Sequence, residues 1–113
     1  MASYIPGYGK LKVTTFFKDI PATDLIKAFA EKRAQKISKY LHNQGVCNIT
    51  FKQAKNGFSC EMHLVSGDFE AKASASSDNF YTAIDEVTQK TLNQCVKHKE
   101  KQMSFRRQLR KAA

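Results

Sequence analysis

The chain has 113 residues, enough for one domain and too few for most multi-domain machinery. Its 42% hydrophobic and 26% charged residues are ordinary for a globular protein and exclude a disordered chain. Nineteen Lys and Arg against ten Asp and Glu leave a formal charge of +9, which favours a polyanionic partner, nucleic acid ahead of an anionic membrane surface.

Residues 1–10, Met-Ala-Ser-Tyr-Ile-Pro-Gly-Tyr-Gly-Lys, lack the cationic start, apolar stretch and cleavage pattern of a signal peptide and read as an N-terminal extension. No apolar run approaches the ~18 residues of a membrane span, so no membrane role is expected. Cys47, Cys60 and Cys95 are odd in number and widely spaced. They predict a reducing, cytoplasmic setting rather than a disulfide framework.

The first strand is predicted at Leu11–Lys18, where Leu11, Val13, Thr15 and Phe17 alternate with Lys12, Thr14, Phe16 and Lys18. A helix follows over Thr23–Leu41, with Thr23 as its N-cap and Gly45 just past its end. Ile26, Ala30, Ala34, Ile37 and Leu41 form its apolar stripe, and Lys32, Lys36 and Lys39 fall opposite, flanked by Lys27 and Arg33. Three more alternating segments follow: Cys47, Ile49 and Phe51; then Phe58, Cys60, Met62 and Leu64; then Phe69, Ala71, Ala73 and Ala75. Lys55-Asn56-Gly57 and Ser66-Gly67-Asp68 are turn sequences that join them as antiparallel neighbours. A second helix is predicted over about 79–102 with Asp78 as N-cap. Its inner stripe is Tyr81, Ile84, Thr88, Thr91, Leu92 and Cys95, and its outer one Lys90, Lys97 and Lys101. Residues 103–113 make a short basic tail that frays or prolongs this helix. The fold expected is α+β, in the order β-α-β-β-β-α, a four-stranded sheet with two helices packed on one face.

The charge is concentrated in the helices. Residues 23–45 carry five basic groups against two acidic, and residues 78–113 eight against four, whereas residues 46–77 hold three of each. Two basic helical faces in one small domain point to an anion-binding site.

Cys60-Glu-Met-His63 and Cys95-Val-Lys-His98 have the spacing of a zinc site. On a strand, however, positions three apart face opposite ways, and His98 stands among lysines that repel a dication. No metal and no cofactor are expected. Glu61 and Glu70 are outward carboxylates that approach each other across a hairpin beside Lys72, a surface pairing rather than an acid–base couple. No phosphate loop, dinucleotide fingerprint or nucleophile elbow is present, so neither catalysis nor a small-molecule substrate is expected.

Tyr81-Thr-Ala-Ile-Asp85, then Lys90, Gln94 and Lys97-His98-Lys99-Glu100-Lys101, resembles the second helix of the ribosome hibernation-promoting factors, a family that includes the stationary-phase ribosome-associated inhibitor. Thr23, Ile26, Lys27, Arg33, Lys36, Ile37, Lys39 and Tyr40 are similar to its first helix, and the run Val46–Ser77 to its three-strand block. The resemblance covers about residues 11–101 and implies the same β-α-β-β-β-α fold. It also implies a monomer off the ribosome. On the ribosome, the partners would be the small subunit and its rRNA, in the channel that holds messenger and transfer RNAs. Translation would be blocked there in dormant cells as a stress response. The RNA-binding residues it implies are Lys27, Arg33, Lys36 and Lys39, then Lys90, Lys97, His98, Lys99 and Lys101. Lys32 joins them from its place on the basic face.

There are departures. Asn93 stands where the family has arginine, Thr88, Thr91 and Cys95 replace aliphatics, and Asn79-Phe80 adds a residue before Tyr81. The resemblance is to the short form, without a C-terminal dimerisation domain, and the end is basic through Arg106, Arg107, Arg110 and Lys111 where an acidic tail is the alternative. The domain expected to bind the ribosome is 11–102. A generic double-stranded-RNA-binding domain is the second reading, although that fold begins with a helix and this chain with the strand Leu11–Phe17.

Overall fold

The structure is a computed structural model that describes residues 11–41, 43–55 and 57–112, with side chains to residue 101 and at 107–109. The N-terminal extension, Asn56 of the first turn, and the side chains of Arg106, Arg110 and Lys111 lie outside the described residues. The elements are β1 (Leu11–Lys18), α1 (Asp24–Ala34), β2 (Gly45–Ala54), β3 (Gly57–Ser66), β4 (Phe69–Ser77) and α2 (Phe80–Ala112), with a 3₁₀ segment Gln35–Tyr40 after α1. The strands lie in the order β1-β2-β3-β4. β1 and β2 are parallel, Val13 beside Cys47, which requires the crossover that α1 supplies. The other two pairs are antiparallel hairpins, Ile49 beside Met62 and Met62 beside Ala73.

The period-two pattern holds along every strand. Cys47, Ile49 and Phe51, Cys60, Met62 and Leu64, and Ala71 and Ala75 are buried on the face that the helices cover. Small residues on β4 let α2 approach closely and press Ala83, Ile84, Val87 and Cys95 into that layer. At the junction of β4 and α2 the core is closed by rings: Phe80 stacks on Phe58 at 3.8 Å and meets Phe51 edge-on at 5.9 Å, while Phe17 stacks on Phe51 at 4.8 Å. Gly57 has φ +148°, and a Cβ there would strike the Ser77 carbonyl oxygen and come within 2.7 Å of the Asp78 Cα. That approach of two backbones needs a residue without a side chain.

Both helices differ from expectation in particulars. Thr23 caps α1 as expected, its hydroxyl accepting from the Ile26 amide at 3.3 Å. The apolar stripe is also buried as expected, from Ile26 to Leu41. From Gln35, however, the helix tightens to 3₁₀. The Ser38 hydroxyl donates to the Gln35 carbonyl at 2.6 Å, and such local bonds compete with the α-helical pattern. The chain is extended at Leu41, and Gly45 belongs to β2 rather than to a helix cap.

Asn79, and not Asp78, caps α2: its side-chain oxygen accepts from the Tyr81 amide at 2.8 Å, whereas the Asp78 carboxylate accepts from the Ser77 hydroxyl. Tyr81 is 43% exposed rather than part of the inner stripe, and Ala83 and Val87 are fully buried in its stead. Ile84, Thr88, Thr91 and Cys95 of the expected stripe are buried as predicted. Residues 103–112 prolong α2.

Candidate nucleic-acid interface

Contacts along α2 fix its direction over the sheet. The Lys90 ammonium donates to the Ser74 carbonyl at 2.8 Å, the Gln94 amide donates to the Lys72 carbonyl at 2.7 Å, and the His98 ring stacks on Phe69 at 4.4 Å. Helix residues four apart thus meet strand residues two or three apart, running antiparallel to β4. With His98 already over the first residue of β4, the turns that follow to Ala112 run about 20 Å past the sheet.

The same contacts sort the predicted cations into two rows. Lys90, Gln94, Lys97 and Lys101 share one flank of α2, above the outer edge of β4. The opposite flank faces α1, where Asp85 pairs with Arg33 at 3.2 Å and Tyr81 meets Phe29 edge-on at 4.8 Å. Between the flanks, the crest of α2 exposes Glu86, Gln89 and Asn93, the last accepting from Gln89 at 3.0 Å. Asn93 thus stands in the middle of that crest.

On the first helix, Lys27, Lys32, Lys36 and Lys39 are all exposed. In a 3₁₀ turn residues three apart eclipse, so Lys36 and Lys39 stand directly in line along the segment. Tyr40 of the 3₁₀ segment and His98 of α2 line one cleft of about 40 Å³ together with Phe69 and Cys95.

Four of the ten predicted residues have partners within the fold, among them Lys39, whose ammonium lies 5.4 Å from the Tyr40 ring centroid. Arg33 is paired to Asp85 and lies 4.9 Å from the Phe29 ring centroid, Lys90 satisfies a carbonyl on the sheet's free edge, and His98 is half-buried against Phe69. Lys99 is half-buried, whereas Lys97 and Lys101 are exposed. Arg107, exposed on the prolonged helix, adds a cation that the sequence reading left in the tail. Its helical phase was not legible where the helix was expected to end near 102.

Cys60 faces inward and His63 outward, as period-two geometry requires, and all three cysteines are buried and unpaired. Burial pushes the Cys47 and Cys60 thiols up to about 12 and the Cys95 thiol up to about 11, where a thiol neither reacts nor ligates readily. No group of three or more His, Cys, Asp or Glu gathers among the described residues. Glu61 and Glu70 do not meet each other: Glu61 pairs with Lys52 at 3.4 Å and Glu70 with His63 at 3.0 Å. The strand register explains this, placing Glu61 beside Ser74 and Glu70 beside Val65. The His63 hydrogen bond holds the Glu70 carboxyl below its ordinary range. No described helix is long and apolar enough to cross a membrane.

A four-stranded sheet with two cation-bearing helices on one face defines an α+β domain that presents positive charge from its helix layer. Residues 13–103 match the family described as sigma 54 modulation protein / S30EA ribosomal protein. The chain belongs to that family, which bears out the kinship with ribosome hibernation factors read from the two helices. Among solved structures, the N-terminal domain of Protein Y from Thermus thermophilus superposes with a TM-score of 0.69 at 15% identity, over 76% of this chain and 94% of that one. A ribosomal subunit interface protein from Coxiella burnetii gives 0.70 at 17% identity, over 79% and 98%. At such identities these two likenesses speak for the fold. No curated protein matches the sequence.

Proposed function

We propose that this protein binds the small ribosomal subunit in the channel for messenger and transfer RNAs and blocks translation there without catalysis, in the cytoplasm of dormant, stationary-phase cells. The observation that carries the reading is membership of a ribosomal protein family over most of the chain. The physical chemistry agrees with it. Lys27, Lys32, Lys36 and Lys39 on one row and Lys97 and Lys101 on the other extend from a rigid layer, spaced to meet successive phosphates, and counterion release supplies the affinity. Phosphate contacts of this kind read the shape of folded RNA rather than its sequence. In this reading residues 11–102 are the ribosome-binding unit, the helical continuation adds a basic extension, and the protein is a monomer off the ribosome.

The test is co-sedimentation with isolated small and large bacterial subunits across a range of salt. Pelleting with the small subunit alone is expected, with log affinity falling steeply against log salt, about 0.7–0.9 per phosphate contacted. Equal binding to both subunits and to arbitrary duplex RNA would instead identify a generic double-stranded-RNA binder. A slope near zero would be incompatible with phosphate recognition.

A further inference from the structure

The face of the sheet turned away from the helices is uncovered by any described element. The strand registers arrange it as four rows, each crossing β1, β2, β3 and β4 in turn. The rows are Lys12, Val46, Val65 and Glu70; Thr14, Asn48, His63 and Lys72; Phe16, Thr50, Glu61 and Ser74; and Lys18, Lys52, Ser59 and Ser76. This grid is about 14 Å across and about 20 Å along the strands.

Three features of the grid are costly to a purely solvated surface. Phe16 is 48% exposed on the edge strand. Like charges stand side by side at Lys18 and Lys52, although directly opposed like charges destabilise a sheet. The only two carboxylates, Glu61 and Glu70, are engaged by Lys52 and His63, so four lysines outnumber two acids. Between these charges lies a depression of about 600 Å³ lined by Phe16, Asn48, Thr50, His63, Lys72 and Ser74, among others. Its walls offer amide, hydroxyl and imidazole groups that both donate and accept hydrogen bonds, next to one open aromatic ring and to the Glu61 carboxylate, whose charge Lys52 engages.

We infer that this open face is a second RNA site, which holds a short single strand with a base stacked on Phe16 and phosphates at Lys18 and Lys72. The chemistry favours a single strand over a duplex. An exposed ring needs an unpaired base, whereas duplex recognition uses backbone and 2′-hydroxyl contacts alone. An open sheet of this size accommodates two or three bases in other RNA-binding folds. The site is continuous with the helix layer round the edge of β4, because the Lys72 and Ser74 carbonyls are the acceptors of Gln94 and Lys90. A strand leaving the depression at Lys72 therefore passes directly to the row of Lys97 and Lys101. The inference does not rest on ribosome binding and extends to naked RNA.

The experiment is fluorescence anisotropy of the full chain with labelled hexauridylate at about 0.15 M salt, where the Debye length is about 8 Å. Phe16→Ala is expected to weaken binding by about tenfold, the scale of one lost base–aromatic stack. Lys72→Glu, a change at an exposed side chain, is expected to weaken it at least as much and serves as an independent probe should Phe16→Ala fold poorly. The pair Lys32→Glu and Lys36→Glu, on the opposite layer, is expected to change it by less than about threefold because salt screens charges at that separation. Phe16→Ala is expected to leave small-subunit co-sedimentation unchanged, which separates this site from the helix layer. Absence of hexauridylate binding overturns the inference. So does binding that ignores Phe16→Ala while following every lysine reversal alike, or that uridine monophosphate displaces as well as the hexamer does.

Discussion

The helix layer and the open sheet face both carry excess cations but dispose of them differently. On the open face the register forces side chains of neighbouring strands together, and both carboxylates are paired, Glu61 with Lys52 and Glu70 with His63. On the helix layer the described ion pair is Arg33–Asp85, which ties one helix to the other, while Lys27, Lys32, Lys36, Lys39, Lys97 and Lys101 are exposed. In α1, Asp24 lies in the first turn, where it suits the positive helix N-terminus, and Lys32 and Arg33 lie in the last, where the dipole is negative. Strand register thus pairs the acids of the sheet face across neighbouring strands, whereas a helix can hold like charges apart at turn spacing and leave them available to a polyanion.

Breaking the helix layer gives the largest expected effect. Reversing Lys36, Lys39, Lys97 and Lys101 to Glu should abolish pelleting with the small subunit while shifting stability by no more than ~0.5 kcal/mol per site. Unfolding of that variant would show that the rows are structural. Phe51→Ala, between the sheet and the helices, stacked on Phe17 and edge-on to Phe80, should cost about 3–5 kcal/mol in chemical denaturation. A loss below 1 kcal/mol would mean that the ring cluster is not the seam of the core.

The buried thiols sharpen the comparison from inside. Cys47 and Cys60 titrate at about 12 in the fold against 9.0 ordinarily, so the folded state holds their protons more tightly. Their contribution to stability is complete below pH 9.0 and is lost as pH rises toward about 12. Ultraviolet thiolate absorbance should appear together with loss of helical ellipticity, and thiolate signal near pH 9 in an intact fold would contradict it.

Lys90 and Lys97 occupy one flank but not one role. Lys90→Met removes the donor to the Ser74 carbonyl and should cost on the order of 1 kcal/mol, whereas Lys97→Met should stay within ~0.5 kcal/mol and weaken RNA binding alone. Equal melting temperatures for the two would erase the distinction. The smallest effect is on the open face: His63→Ala should return the Glu70 carboxyl to the ordinary glutamate range in an NMR titration, and an unmoved value would assign the shift to another group.

Much of the architecture was legible because alternation of period two and stripes of period 3.6 are strong signals. The buried residues of β2 and β3, the Thr23 cap and the stripe from Ile26 to Leu41 all follow from them. The cap of α2 was misplaced because Ser77, Asp78 and Asn79 are all competent caps, and only the hydrogen bonds among them choose. The change to 3₁₀ at Gln35 left no trace in the apolar spacing, since both helix types bury Ile37.

By itself the sequence determined the order of elements, the inward face of each strand, the concentration of charge in two helices and kinship with a ribosomal family, because each is a property of local spacing and composition. Only the tertiary structure decided which cations are committed to the fold. Whether Arg33 meets Asp85, whether Lys90 reaches a carbonyl on β4, and whether His98 lies on Phe69 depend on how helices dock on a sheet. It likewise decided that Phe16, Lys18 and Lys72 share one uncovered face, because strand register brings together residues that the chain keeps up to 56 positions apart.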